Sequence, residues 1–304
     1  MRTIWSLLKQ SASEWSSDGA SVLAAALAYY TIFALAPLLI IVISVAGLVF
    51  GQGQARQELL DQISQTVGSD AAGVIGTMLT NTSEAGSGIL ATVIGAAILI
   101  VGATGLFAQL QNALNKVWNV KPKPSAGILH MITVRLLSLG MVLVIGFLLL
   151  VSLLLSAALS VISGYFQGLL PGGDTIWQVI NFLLSIFVIT LLFALIFKYL
   201  PDVKIAWRDV WVGAFVTALL FSLGKFLIGF YIGTSSASST YGAAGSLVVL
   251  LLWVYYSAQI LLFGAEFTQV YGRRFGSAIQ PADYAVRVSG APSDSDEAQD
   301  ETDS

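Results

Sequence analysis

The sequence contains no cysteine, a single histidine and only 10% charged residues among its 304. Without cysteine there are no disulfides, no thiolate metal sites and no thiol nucleophile. The shortage of charge, set against 56% hydrophobic residues, leaves too little polar surface to wet a soluble globule of this length. The lone His130 sits in a basic loop and suits solvent or the lipid interface better than catalysis. No paired acids outside the C-terminal tail and no histidine motif are present, so hydrolysis by metals or by a general acid and base has no residues to work with. A nucleotide-binding P-loop is missing as well.

What the sequence does have is six long apolar runs: Val22 to Phe50, Ile89 to Leu110, Ile132 to Tyr165, Trp177 to Phe197, Val210 to Ile232 and Ala243 to Val270. Roughly 20 apolar residues span the hydrocarbon of a bilayer as a helix. Backbone groups in lipid must be satisfied internally, so runs this long are helices, whereas barrel strands would be shorter and alternating. The first run is too long for a cleavable signal peptide and five more follow it. The expected fold is therefore all-α: a polytopic membrane protein of six transmembrane helices within residues 1–276. It carries an interfacial N-terminal helix and short helices in a first external loop at about residues 51–88.

Positive charge sets the orientation. Arg2, Lys9, Lys116, Lys121, Lys123, Arg135, Lys198, Lys204, Arg208, Arg273, Arg274 and Arg287 fall on the side of the N-terminus, and Arg56 alone on the other. This bias places both termini in the cytoplasm of a bacterial inner membrane. In the external loop, Leu59, Leu60, Ile63 and Val67 share one helical face, which suits a helix lying on the membrane or capping the bundle. Ile4, Trp5, Leu8 and Trp15 among Arg2, Lys9 and Glu14 make the N-terminal segment an interfacial anchor. Residues 277–304 end in SDSDEAQDETDS and are expected to be a disordered acidic cytoplasmic tail without metal-binding geometry.

Polar residues inside spans are the candidates for function. Lys225 lies about 21 Å into the fifth span from Trp211 at 1.5 Å per residue, near the depth of Asn181 in the fourth. It either snorkels or hydrogen-bonds structurally, or it serves transport. Glu266, near the inner end of the sixth span, shares a helical face with Gln259 and Tyr255. Gln109 and Asn112 share a face with Lys116 at the inner end of the second, and Tyr29 and Tyr30 open the first. If these faces converge they line a polar cavity open to the cytoplasm; the alternative is a set of interhelical hydrogen bonds and interfacial anchors. Pro37 removes a backbone hydrogen bond in the first span and is expected to kink it. Gly47 with Gly51, Gly229 with Gly233, and Gly95 through Gly102 to Gly105 have the spacing of close helix crossings.

Three segments, AAALAYYTIFALAPLLIIV (Ala24 to Val42), GATGLFAQLQNALNKVWNV (Gly102 to Val120) and YGAAGSLVVLLLWVYYSAQILLFGAEFTQVY (Tyr241 to Tyr271), resemble the YihY/BrkB family of bacterial inner-membrane proteins. YLPDVKIAWRDVWVGA (Tyr199 to Ala214) adds a fourth, and the resemblance runs from about Ile4 to Gly276. It implies six helices with both termini inside. Family members have been labelled both "ribonuclease BN" and virulence factor BrkB, a serum-resistance factor with suspected transport of lipids or envelope components. The residues argue against the nuclease, since neither hydrolytic machinery nor a nucleic-acid surface is present. Three functions stay open. One is a transporter or flippase-like protein for a lipid or envelope precursor, working with membrane lipids and envelope-biogenesis proteins. A second is a non-transporting scaffold for envelope machinery, and a third a small-solute or ion permease using Lys225 and Glu266. No cofactor, metal or nucleic acid is expected in any of them, and no enzymatic activity.

Overall fold

The computed structural model describes residues 2–67, 69–84, 105–123, 140, 173–234, 245–276 and 279–288. Its helices are α1 (Arg2–Ser17), α2 (Ala20–Phe50), α3 (Gln52–Val67), α4 (Ser69–Glu84), α5 (residues 105–117), α6 (Gly173–Tyr199), α7 (Trp207–Thr234) and α8 (Gly245–Phe275). Short strands β1 (Val120–Pro122), β2 (Val203–Lys204), β3 (Gln280–Pro281) and β4 (Ala285–Arg287) complete the described elements. Most of the second expected span, the whole third span apart from Gly140, and residues 289–304 lie outside the described residues.

Among the described residues, Phe182–Tyr199, Trp207–Ile228 and Leu247–Phe275 are helical, long and apolar enough to cross a membrane. A fourth such segment arises if Trp5–Ser17 and Ala20–Leu35 are taken together, although they are bent by 67° at the break between them. Gly19 makes that break. Its φ of 64° is left-handed, a conformation glycine adopts without steric penalty. The bend turns α1 away from the direction of α2.

Helix α8 is the hub, packing against α7, α2, α1 and α4. The closest approach is to α7. A side chain placed at Gly213 of α7 would run into Thr268 of α8, and one at Gly264 of α8 into Thr217 of α7. Each threonine hydroxyl donates back along its own helix, Thr217 to the Gly213 carbonyl at 2.7 Å and Thr268 to the Gly264 carbonyl at 2.6 Å. The hydroxyls are thus satisfied and the methyl faces meet glycine, the small-residue packing that membrane helices use in place of a hydrophobic drive. Gly47 and Gly51, by contrast, end a helix. The Gly51 N–H donates to the Gly47 carbonyl at 3.0 Å, and Gly51 takes φ 82° to turn the chain into α3.

One core joins Ala24 and Leu27 of α2, Leu114 and Val117 of α5, Phe193 and Phe197 of α6, Val210 and Ala214 of α7, and Leu262 and Ala265 of α8. At the start of α8, Ile75 and Leu79 of α4 cluster with Leu250, and Leu60 and Ile63 of α3 pack on them. Of the face expected from periodicity in α3, Leu60 and Ile63 pack on this cluster, and the Val67 side chain lies outside the described residues. At the end of α8, Leu7 of α1 packs with Phe267 and Val270. The outward sides of α6 and α7 expose Phe182, Leu183, Phe187, Leu219, Leu223, Phe226 and Phe230, an apolar belt suited to lipid.

The tail expected to be disordered from residue 277 is ordered over 279–288. Strand β3 pairs antiparallel with β2, and β4 with β1. The acidic composition beyond it concealed a short segment, Gln280 to Arg287, whose backbone finds partners in two distant loops. Helix α2 continues through Pro37. The side chains of Pro37 and Asn181 lie outside the described residues.

Candidate functional site

Gln259, Glu266, Gln269 and Arg273 follow one another along α8 at spacings of seven, three and four, which puts them on one face. The bend at Gly19 brings the end of α1 onto this face. Glu14 of α1 forms an ion pair with the Arg273 guanidinium, and Arg274 donates to the Ser6 hydroxyl at 2.9 Å. Gln10 also donates to Glu14 at 3.2 Å, so that carboxylate is well supplied with donors. Asp18, one turn beyond Glu14, carries its charge next to Glu266, Lys116 and Arg273. The Lys116 ammonium of α5 hangs over Gly19, 3.9 Å from where a β-carbon would stand.

Glu266 is the exception in this cluster. It is 0% exposed, and neither of its carboxylate oxygens has a hydrogen-bond partner. Asp18 and Glu14 act on it as neighbouring negative charges and Arg273 as a positive one; the Asp18 carboxyl stands within hydrogen-bonding reach of it but, when ionised, brings no hydrogen to donate. The side-chain oxygens of Gln259 and Gln269 are likewise buried without a donor, as are the indole N–H groups of Trp15, Trp118 and Trp253 without an acceptor. Unpaired buried polar atoms are uncommon in a native fold and costly one by one. Burial pushes the Asp18 carboxyl above its ordinary value, while Lys116, Glu266 and Arg273 pull it down. No group of three or more His, Asp or Glu among the described residues is arranged to hold a metal ion.

A second buried polar group is fully paired. Asp202 follows Pro201 after α6 and is 1% exposed. Its carboxylate accepts from Gln111 at 2.9 Å and from Asn115 at 2.8 Å, and its backbone N–H donates to the Asn115 amide oxygen at 2.8 Å. The Ala282 N–H closes on the Asp202 carbonyl at 2.9 Å, which ties the clasp strands to the same point. Burial, and then the charge of Asp202, raise the Tyr284 phenol above its ordinary value. With every donor and acceptor in place, this group is a structural pin.

The residues anticipated from sequence divide accordingly. Glu266 and Gln259 belong to the unpaired stripe. Tyr255 is half-buried against the main core. Tyr29 and Tyr30 are exposed, edge to face at 5.7 Å, and Tyr30 lies against Gly105 of α5. Gln109 is half-buried and Asn112 exposed, while the neighbouring face of α5 turns Gln111 and Asn115 inward. Lys225 is exposed on α7 among Leu223, Phe226 and Leu227 and forms no ion pair with Glu266. Sequence reasoning passed over Asp18, Glu14 and Asp202 as site residues. The i, i+4 spacing of Glu14 and Asp18 just before a helix-breaking glycine was the available signal.

A profile described as Virulence factor BrkB matches residues 11–287. Similar proteins include the UPF0761 membrane proteins of Rhodospirillum centenum, 30% identical over 261 residues, and of Verminephrobacter eiseniae, 30% identical over 272. These matches cover 84% and 87% of the chain but only 54% and 62% of those relatives' own lengths. A third, from Pseudoalteromonas atlantica, is 28% identical over 259 residues, 83% of this chain and 81% of that protein. No solved structure matches. With a family profile spanning the clasp strands as well as the helices, the chain belongs to the BrkB family and is an integral membrane protein.

Proposed function

We propose that the protein is a transporter or flippase-like protein of the bacterial inner membrane. It receives the polar head group of a lipid or cell-envelope precursor at the cytoplasmic end of the bundle, around Glu266. The observation that carries this reading is a carboxylate buried completely within α8 with neither oxygen hydrogen-bonded, beside two glutamine oxygens in the same condition. A purely structural polar group would be paired, as Asp202 is. An intramembrane ionisable residue is a functional candidate in its own right. The half-buried Glu14 and Asp18 bring two further acidic side chains beside Glu266.

The positive-inside count supports a cytoplasmic position for this end, which carries Lys116, Arg273 and Arg274. Gln109, Asn112, Tyr29 and Tyr30, partly or fully exposed near the start of α5 and along α2, suit a lipid-facing rim better than the floor of the site. The exposed setting of Lys225 supports a snorkelling stem over an ion relay to Glu266.

Reconstituted vesicles provide the test. Glu266→Gln is expected to lower lipid transfer about tenfold, the weight of one hydrogen bond to a charged group, while the variant elutes as a folded protein. Full transfer by the variant would remove Glu266 from the mechanism.

A further inference from the structure

Resting on the head-group reading above, the chemistry of the unpaired atoms narrows what the site receives. The acids gathered at the break between α1 and α2 are Glu14, Asp18 and Glu266, and the bases are Lys116 and Arg273. Arg273 is committed to Glu14. That leaves two carboxyl groups against one ammonium, with Lys116 itself exposed above Gly19. The buried side-chain oxygens left without partners on α8 are both oxygens of Glu266, the Gln259 oxygen and the Gln269 oxygen, while the Trp253 indole N–H, also without a partner, lies about 20 Å along the helix from Glu266. What the site lacks is donors and one positive charge.

We infer that the Glu266 site binds a primary ammonium group, carried by an aminolipid head group or by a soluble amine. An ammonium supplies three donors and one positive charge from a compact group, whereas a phosphate or carboxylate would bring further acceptors to oxygens already short of donors. Recognition runs from the half-buried Asp18 to the fully buried Glu266.

The full chain is reconstituted with equal parts phosphatidylethanolamine and phosphatidylglycerol, and retained lipid is identified by native mass spectrometry during stepwise delipidation. Wild type is expected to keep phosphatidylethanolamine over phosphatidylglycerol about tenfold, and Glu266→Gln to keep them evenly. A parallel arm measures thermal unfolding in lipid-free detergent with ethanolamine or with choline, which carries the charge without N–H donors. Stabilisation by ethanolamine alone, lost in Glu266→Gln, in the absence of a lipid preference assigns the ammonium to a soluble amine. Asp18→Asn serves as the second variant if Glu266→Gln does not fold, with the preference expected to fall in the same direction. Equal retention together with no ethanolamine effect overturns the inference, as does a preference unchanged in both variants. Lipid transfer without ammonium preference would sink this inference and leave the transport reading standing; ammonium binding without transfer would do the reverse.

Discussion

Asp18, at the break between α1 and α2, stands beside Glu266 of α8 with only part of the compensating charge the two acids require. Because burial raises the Asp18 carboxyl, the folded state holds that proton more tightly than the unfolded chain does. Its contribution to stability is therefore fully present below the unfolded value of 3.8 and lost as pH rises through the raised folded value. Asp18→Asn is expected to flatten this decline, and unfolding followed across a pH series in mild detergent checks the slope. The neighbouring ion pair works differently. Arg273 and Glu14 are mostly buried and tie α1 to the end of α8. Arg273→Gln with Glu14→Gln in a double-mutant cycle is expected to give a coupling of about 1–2 kcal/mol, and a value near zero would mean α1 is held by Leu7, Phe267 and Val270 alone.

Among elements, the crossing of α7 with α8 and the clasp of 279–288 set where these residues stand. Gly264→Leu would push a side chain into Thr217 and part the two helices, and it is expected to destabilise the protein by about 2 kcal/mol in thermal unfolding. A tolerated leucine would show that the crossing is looser than the contact between Gly264 and Thr217 implies. Asp202 joins α5, the loop after α6 and the clasp by hydrogen bonds. Asp202→Ala strands the buried amides of Gln111 and Asn115 and is expected to cost about 3 kcal/mol, with proteolysis opening first at 279–288. Cleavage elsewhere would show that the clasp does not depend on this pin. The face of α5 that faces inward is legible only here. Gln109 with Asn112 and Gln111 with Asn115 are both polar pairs at helical spacing, and the choice between them depends on Asp202, 87 residues away from Asn115.

For the whole molecule, topology is the open physical question that the absence of cysteine makes easy to ask. Single cysteines at Gly53 in α3 and at Asp283 in the clasp need no background removal. The positive-inside bias predicts that an impermeant thiol reagent labels Gly53→Cys in intact cells, and Asp283→Cys only after the membrane is opened. Labelling of both from outside would overturn the shared cytoplasmic location of the termini.

Membrane residence, helical class and family were decided by the sequence alone. Long apolar runs admit one solvent and one backbone geometry, and these are local properties that survive without any knowledge of contacts. Segment resemblance carried the family for the same reason. The tertiary structure decided which polar residues are paired and which are left over. Glu266 and Asp202 both read as acids near the ends of spans, yet one is saturated by donors from α5 and the other has none. Pairing depends on helices and loops far apart in the chain, so neither the unpaired stripe on α8 nor the ordered clasp beyond residue 277 could be read from composition or period.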